Sequence, residues 1–180
     1  QATDLPIMIY NNPVDYKIEV TLDMFEELAQ YPTITAVKES TRDITNVTRM
    51  RNRFGDRFAI LCGVDTLAME SLVMGADGWV AGLVDAYPAE TCAVYAYTLA
   101  GEIEKARSIY RWFMPLLELD ISPQLVQNIK LCEVATGLGT GYVRPPRLVL
   151  EGEEKSSVQS IIDQAMKNRP ELGNYKVHLP

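Results

Sequence analysis

Short apolar runs alternate with helix-patterned segments through the first half of this chain, and that alternation most constrains its fold. The runs are residues 5–10 (LPIMIY), 34–38 (ITAVK), 58–62 (FAILC) and 78–81 (GWVA). Each ends in a turn signal or a polar residue: Asn11-Asn12-Pro13, Glu39-Ser40, Gly63 and Gly82. Between them stand segments with helical spacing. Thr21 can cap a helix to Tyr31, with Leu22, Phe25, Leu28 and Ala29 at helical spacing and Pro32 as its stop. Asp43 can cap a second to Phe54, with Ile44, Val47 and Met50 on one face and Gly55 beyond. Asp65 or Thr66 opens a third through Met74, closed by Gly75. Runs apolar on both faces suit a buried parallel sheet covered by helices, so the expected class is α/β, with residues 5–10 as a buried strand.

After Gly82 the pattern becomes helical. Helices are expected over Pro88–Ala100, Glu102–Leu119, Pro123–Ala135 and Glu153–Asn168. The expected organisation is four βα units over residues 1–85, a helical block over 86–170 and a tail over 171–180. No low-complexity linker divides them.

Composition narrows the classes of function. A formal charge of -7 and no basic run argue against nucleic-acid binding. No uninterrupted apolar stretch approaches the ~20 residues of a membrane span, and no signal-peptide pattern opens the chain. Cys62, Cys92 and Cys132 are widely spaced and odd in number, which points to reduced thiols and a cytoplasmic protein rather than a disulfide frame or a zinc site. The chain opens at Gln1 and enters a strand almost at once, the expectation for a fragment or a processed piece.

The chemistry-bearing candidates lie at strand ends. Strand C-termini converge on the active face of parallel βα folds. Lys38 sits at such an end beside Ala36 and Val37. Partial desolvation disfavours its ammonium form, and a neutral amine can attack a carbonyl to form an imine. The competing reading is a strand-end lysine with its amine in water. Tyr10 ends the preceding strand, where a phenol can give and take a proton; the competing reading is a core aromatic. Neighbouring parallel strands lie about 4.8 Å apart, so both side chains can reach one small substrate. Glu39 follows Lys38 and points to the opposite face, which suits a structural role. Gly63 and Gly82 serve either turn geometry or close approach of backbone to a ligand. His178, the single histidine, lies in the tail, so neither a triad nor a histidine metal cluster has support. Gly137-Leu138-Gly139-Thr140-Gly141 follows a helix and precedes Pro145-Pro146, the context of helix termination rather than of a phosphate loop. Asp77 and Asp85 flank the fourth run without the neighbours a metal site needs.

Taken together, Tyr10-Asn11-Asn12-Pro13, Val37-Lys38-Glu39-Ser40-Thr41, Cys62-Gly63-Val64-Asp65, the run Gly75–Gly82 and Val143-Arg144-Pro145-Pro146 resemble the dihydrodipicolinate synthase / N-acetylneuraminate lyase family of Schiff-base-forming enzymes. The resemblance covers nearly all of residues 5–168. It implies the C-terminal half of a TIM (β/α)8 barrel, strands five to eight, followed by a helical block. A whole barrel of this kind takes about 250 residues, so an N-terminal half-barrel segment outside this sequence would carry the substrate-carboxylate loop and a further tyrosine. The resemblance also implies that Lys38 attacks the C2 carbonyl of a 2-oxo acid, that Tyr10 shuttles protons, and that Gly63 and the Val80 backbone line the pyruvyl part of the site. It implies no metal or organic cofactor and a homo-oligomer. In the synthases an arginine stands two residues beyond the proline of the Tyr-Asn-x-Pro motif; here that position is Asp15, which would repel a second carboxylate. The expected activity is therefore a catabolic deaminase or dehydratase of the pyrroline-4-hydroxy-2-carboxylate or 2-keto-3-deoxy sugar acid type. The alternatives are a dihydrodipicolinate synthase or pyruvate-dependent aldolase, and, in another class, a non-catalytic barrel fragment.

Overall fold

The computed structural model describes residues 3–176. Contacts divide the chain between Val80 and Ala81 into two compact units.

The first unit is a sheet of four parallel strands in sequential order: β1 (Ile7–Asn11), β2 (Ile34–Glu39), β3 (Ala59–Cys62) and β4 (Gly78–Trp79). Between them run α1 (Pro13–Tyr16), α2 (Leu22–Leu28), α3 (Thr45–Phe54), a 3-10 turn (Asp65–Leu67) and α4 (Ala68–Val73). Sequential order decides the layering. Crossovers between parallel strands are right-handed, so steps taken always in one direction lay the connecting helices on one face. Register then assigns each side chain to a face. Ile9 pairs with Val37, and Val37 with Ile60. This row points into the helices, where Val37 and Ile60 join Phe25, Val47, Met50 and Phe58 in one buried cluster. Phe25, Phe54 and Phe58 meet edge-on or tilted at centroid separations of 5.5–6.4 Å.

Local chemistry sets the helix ends. Thr21 Oγ1 accepts from Met24 N at 3.4 Å, the expected cap of α2. The helix stops at Leu28, short of Tyr31. The carbonyls of Ala29, Tyr31 and Ile34 all accept from the Arg57 guanidinium, at 2.8–3.1 Å. Asp43 Oδ1 accepts from both the backbone N–H (3.0 Å) and the hydroxyl (2.6 Å) of Thr45, so α3 begins at Thr45. Hydrogen bonds from Thr45 and Arg49 hold the Asp43 carboxyl below its usual range. Asp77, a weak metal candidate, is a scaffold group: it accepts from Ile60 N at 2.6 Å and pairs with Arg51 at 2.5 Å.

One expectation is corrected. Residues 5–10 are not a buried strand: Leu5, Ile7, Met8 and Tyr10 are exposed. The physical reason is position. β1 is an edge of the sheet, and Met8 and Tyr10 sit on the face that the helices do not cover.

The second unit contains α5 (Pro88–Leu99), α6 (Ile103–Asp120), α7 (Leu125–Thr136) and α8 (Gly152–Lys167). Its core holds Tyr87, Phe113, Leu116, Leu117 and Ile162. Tyr87, Trp112 and Phe113 form an aromatic triple with centroids 5.5–5.9 Å apart. The buried Glu90 carboxylate pairs with Arg169, closest approach 2.5 Å. Gly137 closes α7 in the left-handed region (φ 74°), and Leu138 N and Gly139 N both return to Glu133 O. The glycine-rich stretch is thus a helix terminus. The segment after α8 is tied down as far as Tyr175, whose hydroxyl donates to Ala89 O, while Tyr97 donates to Leu172 O. His178 lies outside the described residues. Cys62, Cys92 and Cys132 are free, and burial pushes the Cys132 thiol up to about 12. No helix among the described residues is long and apolar enough to cross a membrane.

Phe58 is buried in the cluster that Phe25, Val47 and Met50 form with the sheet residues Val37 and Ile60. Phe58→Ala should lower stability by roughly 3–5 kcal/mol, read as a fall in the urea midpoint at unchanged slope.

Candidate functional site

The site lies in the first unit, on the sheet face away from α2 and α3. Tyr10 and Lys38 are register partners across β1 and β2, and Lys38 is the register partner of Leu61. One residue further on, Asn11, Glu39 and Cys62 form the next row on the opposite face. The ladder continues past the strand ends: Ser40 N donates to Asn11 O (2.9 Å), Gly63 N to Glu39 O (2.8 Å) and Val80 N to Cys62 O (2.9 Å). By the same alternation Gly63 stands on the face of Lys38, and Val80 on the face of Gly78. The structure therefore brings Tyr10, Lys38, Gly63 and Val80 to one end of one sheet face.

The half-buried Lys38 ammonium rests over the Tyr10 ring, 4.5 Å from its centroid. Its stem lies across Gly63. A Cβ at Gly63 would meet Ser40 Oγ at 2.0 Å, Lys38 Cγ at 2.7 Å and Lys38 Cε at 2.8 Å. Gly63 is not among the glycines with positive φ. Its lack of a side chain therefore serves space rather than backbone conformation: the lysine and Ser40 occupy the volume. Gly82 differs, because a Cβ there would meet the Asp120 carboxylate at 2.2 Å. The space a side chain would take there is occupied by that carboxylate.

Beneath Lys38, on the helix side, Glu39 is buried and makes no ion pair among the described residues. Its carboxylate accepts from Thr41 N (2.8 Å), Asn46 Nδ2 (2.9 Å) and Asn11 Nδ2 (3.4 Å). Asn11 in turn clamps Val20 through both its backbone groups, at 2.9 and 3.1 Å. The structural role expected of Glu39 is met by this network.

Two residues of the quoted motifs carry roles that the sequence does not assign. Asn12 is buried, and its amide donates to Tyr10 Oη at 2.8 Å and to Asp15 Oδ2 at 2.6 Å. The Asn-Pro pair at the start of α1 is a helix-start signature that could have flagged it. Ser40 is buried, and its hydroxyl has no hydrogen-bond partner among the described residues. A buried unpaired hydroxyl is uncommon and calls for a partner, yet serine at that position carries no sequence signal of its burial. No group of three His, Cys, Asp or Glu among the described residues is placed to hold a metal ion.

A parallel βα sheet with a lysine and a tyrosine side by side on its open face defines a class, the βα folds that gather polar groups at strand C-termini. Comparison narrows it. The model of the dihydrodipicolinate synthetase family matches residues 1–165, and the chain belongs to that family. A 4-hydroxy-tetrahydrodipicolinate synthase of Exiguobacterium sibiricum is 33% identical over 152 residues, 84% of this chain and 52% of that protein. The crystal structure of dihydrodipicolinate synthase from Bacillus anthracis superposes with a TM-score of 0.82 at 28% identity, covering 89% of this chain and 55% of the other. A sialic acid aldolase from Ruminococcus gnavus, solved as a catalytic lysine mutant, gives a TM-score of 0.78 at 25% identity over 91% of this chain and 55% of that one. The chain thus spans about half the length of the relatives it matches.

Gly63→Ala forces Ser40 and the Lys38 stem to move together. It should cost about 1–3 kcal/mol of stability and displace the amine. Thermal denaturation and the rate of imine trapping at Lys38, measured on the same sample, check both effects.

Proposed function

We propose that this chain supplies strands five to eight of a (β/α)8 barrel and that Lys38 is the imine-forming lysine of a lyase acting on a 2-oxo acid. The observation that carries the reading is the pairing of Lys38 with Tyr10 on the open face, with Gly63 leaving room for the lysine stem. In the proposed step the neutral Lys38 amine adds to C2 of the 2-oxo acid. A proton passes from the attacking nitrogen to the former carbonyl oxygen to give a carbinolamine, whose hydroxyl takes a second proton from Tyr10 and leaves as water, giving an iminium and a phenolate. The phenolate then accepts a proton from C3, and the electrons of that bond move into the iminium to give an enamine. Carbon–carbon bond formation, or loss of a group at C4, follows from that enamine; in the reverse sense, cleavage of the C3–C4 bond of an iminium generates it. The iminium is itself the electron sink, so the step calls on neither metal nor organic cofactor. Gly63 and the Val80 backbone would line the pyruvyl part of the site, and the orphan Ser40 hydroxyl offers a hydrogen bond there.

The rest of the site belongs to an N-terminal half-barrel segment paired with β1. The exposed apolar edge of β1 and the length of the relatives support this. Homo-oligomerisation is part of the same proposal. If residues 1–180 alone form a monomer that unfolds cooperatively, the half-barrel reading is wrong.

The likeness to 4-hydroxy-tetrahydrodipicolinate synthases supports a synthase reaction, in which the enamine would condense with a second carbonyl compound. One observation favours a second reading. Asp15 is an exposed carboxylate that joins Tyr10 through Asn12 and has no cationic partner among the described residues. Its charge disfavours a second substrate carboxylate and suits a hydroxylated substrate, as in a deaminase or dehydratase of the pyrroline-4-hydroxy-2-carboxylate or 2-keto-3-deoxy sugar acid type.

Pyruvate followed by borohydride should leave a reduced adduct on Lys38, seen by mass spectrometry and lost in Lys38→Ala; no adduct in the assembled protein refutes the enzyme reading. Pyruvate with aspartate semialdehyde, set against hydroxylated substrates, separates the two reactions. Tyr10→Phe should reduce turnover about 10²–10⁴-fold, the range for a lost acid–base group, with a smaller loss of adduct at equilibrium.

A further inference from the structure

The hydrogen-bond pattern around Tyr10 has a definite polarity. Asn12 Oδ1 accepts from Asp15 N at 3.2 Å, and Asn12 Nδ2 donates to Asp15 Oδ2 at 2.6 Å. Turning the amide over would set Oδ1 against a carboxylate oxygen and Nδ2 against an N–H, two like-with-like contacts. Asp15 therefore locks the amide orientation, and the group facing Tyr10 is an N–H donor. At 2.8 Å, Tyr10 Oη can only accept from it. The phenol's own hydrogen is left over and meets no acceptor among the described residues. The amide is buried, while the phenol is exposed on the open face.

We infer that Asn12, held by Asp15, is a positioning residue that turns Tyr10 into a proton donor toward the Lys38 side of the sheet. The inference rests on the imine reading given above. In the carbinolamine step the phenol proton passes to the departing hydroxyl, water leaves, and the negative charge stays on Tyr10 Oη. Asn12 N–H is already in place to hydrogen-bond that phenolate until it takes the C3 proton back. A donor that strengthens its bond as charge develops favours the proton transfer without touching the substrate.

The test uses the assembled protein with pyruvate. Asn12→Asp keeps an N-cap oxygen for α1 but removes the donor; Asn12→Ala removes both. Each variant should slow exchange of the pyruvate C3 hydrogens with solvent about tenfold, the worth of one hydrogen bond. The yield of borohydride-trapped Lys38 adduct at equilibrium should stay within about twofold. In a Tyr10→Phe background Asn12→Ala should cost nothing further. An Asn12→Ala penalty that persists undiminished in that background overturns the inference, because the residue then acts through structure alone. A readout independent of activity is the Cζ resonance of isotope-labelled Tyr10. It should move in Asn12→Ala, and an unmoved resonance overturns the hydrogen bond itself. If the wild-type protein traps no pyruvate, the imine reading falls, and the Cζ resonance still decides whether Asn12 polarises Tyr10.

Discussion

The arrangement at the strand ends depends on one buried carboxylate. Glu39 stands on the helix side of β2 with three N–H donors converging on it and no cation among the described residues. Burying a charge without such donors costs several kcal/mol, so the three donors and the carboxylate specify each other. Thr41 N shapes the turn after β2, Asn46 anchors the first turn of α3, and Asn11 ties in the end of β1 and the Val20 loop. With Glu39 pinned to the helix side, alternation leaves Lys38 only the opposite face. A one-residue slip would bury the ammonium among Phe25, Val47 and Met50 and push the carboxylate out of its cradle. The polar network under the sheet thus keeps the lysine in register.

The open face is then organised by space and by hydrogen-bond direction. Gly63 is the place where a side chain is missing so that another can lie there. The Lys38 ammonium rests on the Tyr10 ring, a weak contact worth about 0.5–1 kcal/mol at an exposed site. Tyr10 is held at its hydroxyl by Asn12 and met edge-on by Tyr16, 5.6 Å away between centroids. The pair can rearrange at the amine without disturbing the phenol.

Much of this was legible from residues alone. Strand and helix periodicities place the elements within a few residues. The ends that shifted moved for local reasons: Arg57 drawing three carbonyls out of the α2 exit, Asp43 bonding Thr45 to start α3, and β4 pairing only at Gly78 and Trp79. The exposed state of β1 could not be read, because LPIMIY looks the same whether a neighbouring strand covers it or not. Asn12 and Ser40 were missed for a related reason. Their significance is that they are buried, and burial of a short polar side chain is set by what packs around it.

The sequence by itself determined the alternation of strands and helices, the parallel class of the sheet, and the placing of Lys38 and Tyr10 at successive strand ends, because periodicity and turn residues act over a few positions of the chain. Tertiary structure alone decided that Tyr10 and Lys38 are opposite each other in register, that Gly63 is a gap for the lysine stem, and that the Asn12 amide points its N–H at the phenol. Those facts depend on pairing and packing between segments distant in the chain, and no local pattern encodes an orientation that only a neighbour's hydrogen bond can select.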